Sequence, residues 1–389
     1  MANILLIHNY YKIRGGEDVV FEQEAEALEK RGHKVIKYTR HNEEIDQYGF
    51  WEKISFFWRA ISNQRTKREL EALLEKHKIE IAHVHNVFPL ISPIIYKILH
   101  KHKIKVVQTL HNYRFLCPNG LFYRNKQICQ RCSKGDFWSC VIHKCYKDSF
   151  IFSLLYAFII KLNQKNFKKN IDGYIALTQF AKNIFIDNGF KEKKVYVKDN
   201  GFFDPKKSQE ASEGYFLYLG RISEEKGLDF LLASFAKMPE YKLKVAGAGF
   251  DLACYKEKYQ NFVNIKFMGR VEGEKKDVLI QKTEALLMPS VCFENYPLAI
   301  GEAFSFGVPV IASKIGSIPF IVEEGQSGFL FEVNNFADFA AKLKKIYGQK
   351  ALRKKMGQQA RKVFEERMDF EINIKRLEEI YRRVLNVEI

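Results

Sequence analysis

Short β-branched runs alternate with amphipathic stretches of helical period along the first two hundred residues. Ile4 to His8, Lys34 to Tyr38, Ile81 to His85, Lys105 to Leu110, Gly173 to Leu177 and Lys194 to Val197 read as strands, with helices over Asp18 to Lys30 and Arg65 to Lys76. Strands joined through helices re-enter the sheet in the same direction, so the rhythm predicts a parallel sheet with both faces covered. It breaks at Asp199 to Lys207, a segment rich in Gly, Pro and charge, and then restarts. Strands are expected at Tyr215 to Leu219, Lys242 to Ala246, Val263 to Met268, Ala285 to Met288 and Val308 to Ala312, and helices from Gly227, Asp251, Lys275 and Pro297. The fold class is therefore α/β, with two Rossmann-like domains whose parallel sheets face an interdomain cleft. The expected boundaries are 1–200, 201–369 and a final helix, 370–389, able to pack back on the N-terminal domain. Ligands of such sheets bind beyond the carboxyl ends of the strands, so the chemistry belongs on the strand-to-helix loops.

Composition supports two soluble domains: 389 residues exceed what one core usually serves, and 47% hydrophobic with 28% charged residues is globular. No run approaches the ~18–20 apolar residues of a membrane span. The first residues meet His8, Asn9 and Lys12 too soon for a secretory signal, and a cytoplasmic protein is expected. The net charge of +17 is uneven: residues 1–200 hold 34 Lys+Arg against 20 Asp+Glu, and residues 201–389 hold 29 against 26. Within 81–171 there are 15 basic residues and two acidic ones, Asp136 and Asp148. That segment should attract polyanions: nucleic acid, anionic lipid or pyrophosphate-bearing substrates. Five of the seven cysteines also fall there, as Cys117, Cys129-x-x-Cys132, Cys140 and Cys145. In a cytosolic chain they are either reduced thiols or a metal clip, and Cys117, Cys129, Cys132 and Cys145 could hold a structural zinc tetrahedrally.

The densest chemistry is in Pro289 to Ala303. A loop follows the strand Ala285 to Met288, Pro297 suits the first helical position, and N–H groups of Asn295, Tyr296, Pro297's neighbours and Leu298 would face an anion at the helix start. Glu294 lies before that helix and Glu302 in its second turn, an E-x7-E spacing. Arg221-Ile-Ser-Glu-Glu-Lys226-Gly227 puts two cations on another strand-to-helix loop, where a guanidinium grips phosphate bidentately and a lysine adds a mobile charge. Each pair taken alone also fits solvated surface residues, with Glu224 and Glu225 as partners for the cations. Together they resemble the retaining glycosyltransferases of family four, a GT-B family that uses nucleotide-diphosphate sugars.

The resemblance extends over nearly the whole chain. It implies that Arg221 and Lys226 bind the pyrophosphate, that Glu302 binds the donor ribose and that Glu294 faces the sugar. It implies that Arg270 and Val271, after Met268-Gly269, hold the base through the main chain, and that Gly247 and Gly249 let the donor approach the backbone. In the N-terminal half, Gly15 and Gly16 match an acceptor-side loop, and His111, in Thr109-Leu110-His111-Asn112, matches a histidine beside the transferred sugar. His8, His83 and His85 read as satisfied strand-end histidines. The implied reaction is front-face transfer with retention, with no cofactor or divalent metal required.

Competing readings are a basic nucleic-acid-binding protein, for which no known module is present and which we therefore exclude as a partner class, and a donor-binding protein without transferase activity. A dehydrogenase would need an acidic residue ~20 positions after Gly247-Ala248-Gly249, where Phe267 and Met268 stand. Ser149 to Ile160 is apolar on nearly every face and rimmed by Lys144, Lys147, Lys161, Lys165, Lys168 and Lys169. It reads either as a buried helix or as one lying on an anionic membrane. The second option places the protein peripherally on the inner face of the plasma membrane, working on a glycan or lipid-linked acceptor for surface polysaccharide.

Overall fold

The computed structural model describes residues 1–49, 56 and 59–386. Two six-stranded parallel sheets organise it. The first runs β2-β1-β3-β4-β7-β8, from β1 (Asn3–Tyr10), β2 (Lys34–His41), β3 (Ile81–Val84), β4 (Lys105–Leu110), β7 (Gly173–Ala176) and β8 (Val195–Val197). Between β4 and β7 lies a short antiparallel hairpin, β5 (Tyr123–Arg124) and β6 (Gln127–Ile128). The second sheet runs β11-β10-β9-β12-β13-β14, from β9 (Tyr215–Leu219), β10 (Lys242–Ala246), β11 (Ile265–Gly269), β12 (Leu286–Met288), β13 (Val310–Ser313) and β14 (Gly328–Phe331). In each sheet the first strand of the repeat is internal, β1 second and β9 third from an edge, because the crossovers run outward on one side and then reverse to the other.

The expected elements shift by a few residues for local reasons. Lys194 ends a 3-10 turn, Glu192–Lys194, so β8 begins at Val195. Pro297 is not the first helical residue: it stands one position earlier, as the extended N-cap of the helix Leu298–Ser305. Gly227, left-handed at φ 71°, caps the helix Leu228–Ala236. Caps also fix other helix starts. Asn63 accepts from the N–H groups of Arg65 and Thr66, and Thr178 from that of Ala181.

The chain divides into two compact units. The first holds Met1–Gly120, Gln130–Lys198 and Ile374–Ile389, and the second holds Leu121–Cys129 and Asp199–Asn373. The first sheet's core is Ile4 to Ile7 of β1 with Ile81, Ala82 and Val84 of β3, all fully buried. The C-terminal part of the helix Phe370–Leu385 belongs to this unit. Glu378 accepts from Arg31 Nε at 3.0 Å and contacts His33 Nε2 at 3.0 Å, and Tyr381 meets His83. In the second unit Phe216, Tyr218, Leu231, Phe235, Leu243 and Leu287 anchor the core.

Candidate functional site

In the second unit the expected donor residues lie on the loops after β9, β10, β11 and β12 and on the helix Leu298–Ser305. Lys226 Nζ lies 2.6 and 2.8 Å from the two oxygens of Glu294. Ser290 Oγ donates to the same carboxylate at 2.6 Å. Glu294 is buried and Lys226 half-buried; burial pulls the Lys226 ammonium pKa down, but the facing carboxylate outweighs it and holds it above the ordinary value. Arg221 bonds Glu225, whose other partner is Ser223 Oγ at 2.7 Å. The Arg221 side chain is 61% exposed, so it is available to a ligand. Of the two glutamates first considered as partners for these cations, only Glu225 plays that part. Glu224 accepts instead from Tyr123 of the β5–β6 hairpin at 2.8 Å.

The loop carrying Glu294 is fixed by its backbone. Val291 N–H donates to Glu225 O at 3.0 Å, and Ser317 Oγ donates to Glu294 O at 2.6 Å. Glu302, in the second turn of Leu298–Ser305, pairs with Lys276 at 2.8 Å. Asn295, Tyr296 and Pro297 are buried at the head of that helix and Leu298 is half-buried. Arg270 is exposed and bonded to Glu272 at 2.8 Å, and Val271 follows it on the same loop.

Gly247 and Gly249 have a structural duty that sequence reasoning missed. A Cβ on Gly247 would lie 1.9 Å from Gly220 O, and one on Gly249 1.8 Å from Ile222 O. The space they spare is thus taken by the Arg221 loop, which docks through Ile222 N–H to Ala248 O at 2.9 Å and Gly220 N–H to Ala246 O at 3.1 Å. The glycines set where Arg221 stands.

In the first unit Gly15 is the N-cap of the helix Gly16–Lys30 and donates its N–H to Asp18 Oδ2 at 2.7 Å. His111 follows β4, half-buried, with Nε2 2.9 Å from Nδ1 of His85. His85 and His83 lie two residues apart on and after β3 and both face Glu24 of the first helix, which is bonded in turn to Lys198 after β8. Burial holds His83 down at about 4, and His85 and His111 well below 6.5. The H-x-H spacing at the end of a central strand was the available signal for this cluster.

None of the seven cysteines forms a disulfide. Cys140, not among the expected ligands, hydrogen-bonds with Cys132, and the nearness of Cys132, Cys145 and Cys117 together with burial pushes its thiol pKa far up. Cys129 belongs to the second unit with the hairpin. Among the described residues, the group of three potential metal ligands whose atoms converge is Glu24, His83 and His85.

Two family models match the chain: Glycosyltransferase Family 4 over residues 14–202 and Glycosyl transferases group 1 over residues 200–363. The N-acetyl-alpha-D-glucosaminyl L-malate synthase of Bacillus anthracis is 23% identical, covering 96% of each chain. A protein of the cps region of Klebsiella pneumoniae is 24% identical over 81% of this chain and 86% of its own. Among solved structures, sucrose-phosphate synthase from Thermosynechococcus elongatus superposes with a TM-score of 0.74 at 17% identity, covering all of both chains. HepE of Anabaena, solved in complex with UDP, has a TM-score of 0.69 at 15% identity and covers 98% of this chain and 100% of its own.

Proposed function

This chain belongs to the family 4, group 1 glycosyltransferases and has their GT-B fold, and from that membership we propose that it transfers a sugar from a nucleoside-diphosphate sugar with retention of configuration. The observation that carries the reading is the cluster of Arg221, Lys226 and Glu294 on the loops that follow two neighbouring strands of the second sheet, β9 and β12. Two cations there meet the diphosphate and a carboxylate held between Lys226 and Ser290 meets the sugar. Glu302 takes the ribose. UDP in the related HepE structure supports a nucleotide donor.

In the proposed reaction the bond between the anomeric carbon and the phosphate oxygen breaks, and its electron pair leaves with the diphosphate. The acceptor hydroxyl oxygen bonds the anomeric carbon from the same face, and its proton passes to the departing phosphate oxygen. Arg221 and Lys226 stabilise the growing negative charge, which is electrostatic catalysis by groups already in place. His111 orients the sugar. Proton NMR of the first product formed from an α-linked donor tests this: an α-linked product is expected, and a β-linked one would refute retention.

The acceptor we propose is a lipid-linked glycan on the path to a surface polysaccharide, in keeping with the cps-region relative. The first unit has a face suited to the membrane. Along the helix Phe150–Lys169, Ser153, Tyr156, Ala157 and Ile160 are buried while Ile151, Leu154, Phe158 and Leu162 stand exposed on the opposite stripe. Trp138 and Ile142, both 59% exposed, add to the surplus of apolar surface. No helix of the described residues is long and apolar enough to cross a membrane. Lys161, Lys165 and Lys169 continue the exposed stripe, and each adds about 1 kcal/mol of attraction to an anionic surface. Sedimentation with anionic but not neutral liposomes is expected, weakened by salt and by changing those three lysines to Glu. Equal recovery in the supernatant with both liposome types would redirect the search to soluble acceptors.

A further inference from the structure

The buried cluster of Glu24, His83, His85 and Lys198 does not serve the donor site, and its geometry bears on His111. Glu24 and Lys198 are each no more than 2% exposed, and Lys198 Nζ binds Glu24 Oε1 at 2.9 Å. The carboxylate's other oxygen has no hydrogen-bond partner among the described residues; it lies 3.5 Å from His85 Nε2 and 3.8 Å from His83 Nδ1. Three ligand-type groups converge here, yet a cation already sits on the carboxylate. Both ring nitrogens of His83 are also taken, Nδ1 by Tyr381 Oη at 2.7 Å and Nε2 by Thr109 Oγ1 at 2.7 Å. The cluster is therefore organised around charge and proton position rather than around a metal.

His85 is the link to the reaction site. Its Nε2 faces the free oxygen of Glu24 and makes no hydrogen bond among the described residues. Its Nδ1 is 2.9 Å from His111 Nε2, with the two rings stacked at 5.1 Å. Both imidazoles are neutral, so a single proton lies between those two nitrogens. A carboxylate oxygen at 3.5 Å favours the proton of His85 on the near nitrogen, Nε2, which leaves Nδ1 as a lone-pair acceptor. His111 must then carry its own proton on Nε2, and its Nδ1 becomes an acceptor.

We propose that His85, oriented by the Glu24–Lys198 pair, is a positioning residue that fixes His111 as the Nε2–H tautomer and so presents an acceptor nitrogen to a sugar or acceptor hydroxyl. The inference rests on the reading of His111 as the residue beside the transferred sugar. The reverse tautomer would present a donor, which cannot accept a hydrogen bond from a hydroxyl. Sequence order hides the device, because its members come from the first helix, β3, β4 and the end of β8.

The test is the two-bond proton–nitrogen spectrum of ¹⁵N-histidine-labelled full-length protein at pH 7.5, in which the two tautomers give distinct patterns. The His111 signals are identified by their loss in His111→Gln. The parent should show the Nε2–H pattern. Two variants should shift His111 toward Nδ1–H: His85→Phe, and the double change Glu24→Gln with Lys198→Met, which removes both buried charges together. An Nδ1–H pattern in the parent, or an unmoved Nε2–H pattern in the folded variants, overturns the proposal. If the double variant does not fold, His85→Phe decides alone. With UDP-glucose as probe donor, His85→Phe should slow UDP release about tenfold, the scale of one lost hydrogen bond, with KM unchanged. His111→Gln separates the two ideas. If it releases UDP at the parent's rate, the role of His111 fails, whereas slow release by His111→Gln beside parental rates in both cluster variants removes only the positioning role.

Discussion

Replacing Lys226 with Ala separates what the Lys226–Glu294 pair does for the fold from what it does for the donor. Glu294 is only 8% exposed as a side chain and would keep a single neutral donor, Ser290 Oγ at 2.6 Å. Removing one partner of a fully buried pair costs about 3–5 kcal/mol; Lys226 retains 22% of its side-chain exposure, so about 2–3 kcal/mol is expected here. In a unit of this size that lowers Tm by roughly 5–10 °C. Arg221→Ala should leave stability within about 1 kcal/mol, because its guanidinium is mostly in water. Lys226→Met combined with Glu294→Gln removes both charges, and most of the lost stability should return. Nucleotide binding should not return with it. Each lost charge-assisted bond to a diphosphate is worth about 1.5–3 kcal/mol, or roughly 10- to 150-fold in Kd. Calorimetry with UDP, GDP, ADP and TDP, beside thermal melts without nucleotide, reads both quantities. If Arg221→Ala and the double variant bind the preferred nucleotide like the parent, the donor-site assignment is wrong. If Lys226→Ala melts like the parent, the electrostatic account of the pair is wrong.

Glu302→Gln should weaken nucleotide-sugar binding by about 1.5–3 kcal/mol in calorimetry, while Glu294→Gln should depress turnover more than binding; identical, parental behaviour of both would defeat the E-x7-E reading. Gly249→Ala forces a Cβ to 1.8 Å from Ile222 O, whereas Gly220→Ala on the neighbouring loop meets nothing nearer than Tyr218 Oη at 3.7 Å. The first should cost about 1–3 kcal/mol and loosen nucleotide binding by moving the Arg221 loop, and a melt matching that of Gly220→Ala would refute the docking role. Unfolding should become easier in acid: burial depresses His83 to about 4, with Glu24 opposing and Lys198 assisting. Its contribution, about 3 kcal/mol, is complete above pH 6.5 and lost as the pH falls through 4, because the unfolded chain binds the proton first. Denaturation at pH 7.5 and pH 5 with no difference attributable to the first unit would contradict this. If Cys117, Cys129, Cys132 and Cys145 form a metal clip, elemental analysis of protein purified without added metal should find about one zinc per chain. Loss of that zinc in Cys129→Ser but not Cys140→Ser would favour the ligand set read from the sequence over the thiols gathered around Cys140, and a folded zinc-free protein would leave plain thiols.

The parts legible in the sequence are those that depend on neighbours along the chain. Both sheets could be read from alternating runs because a parallel strand buried on two faces is written in consecutive apolar residues, as Ile4 to Ile7 and Leu286 to Met288 are. The donor loops could be read because a strand, a loop with charges and a helix start occur together in order. The two-residue strands of the hairpin are too short to announce themselves, and their pairing rather than their composition makes them strands. Partnerships across the sheet were hidden altogether. Nothing in Arg221-Ile-Ser-Glu-Glu-Lys226 indicates that Lys226 would turn to Glu294, 68 positions on, while Arg221 took Glu225. The glycines of Gly247-Ala248-Gly249 look like ligand-facing residues by pattern, and their packing against the neighbouring backbone, where an added Cβ would come within 1.8 and 1.9 Å of Ile222 O and Gly220 O, is not written in that pattern. The same limit explains the histidines. His8, His83 and His85 are each ordinary at a strand end, but parallel register sets Val84 of β3 opposite both Ile7 of β1 and Gln108 of β4, which brings His8 level with His85 and leaves His111 just beyond that level, its Nε2 2.9 Å from His85 Nδ1. Register therefore turns bland residues into a network, because it sets which strand-end side chains meet while residue type sets only what they can do once they do.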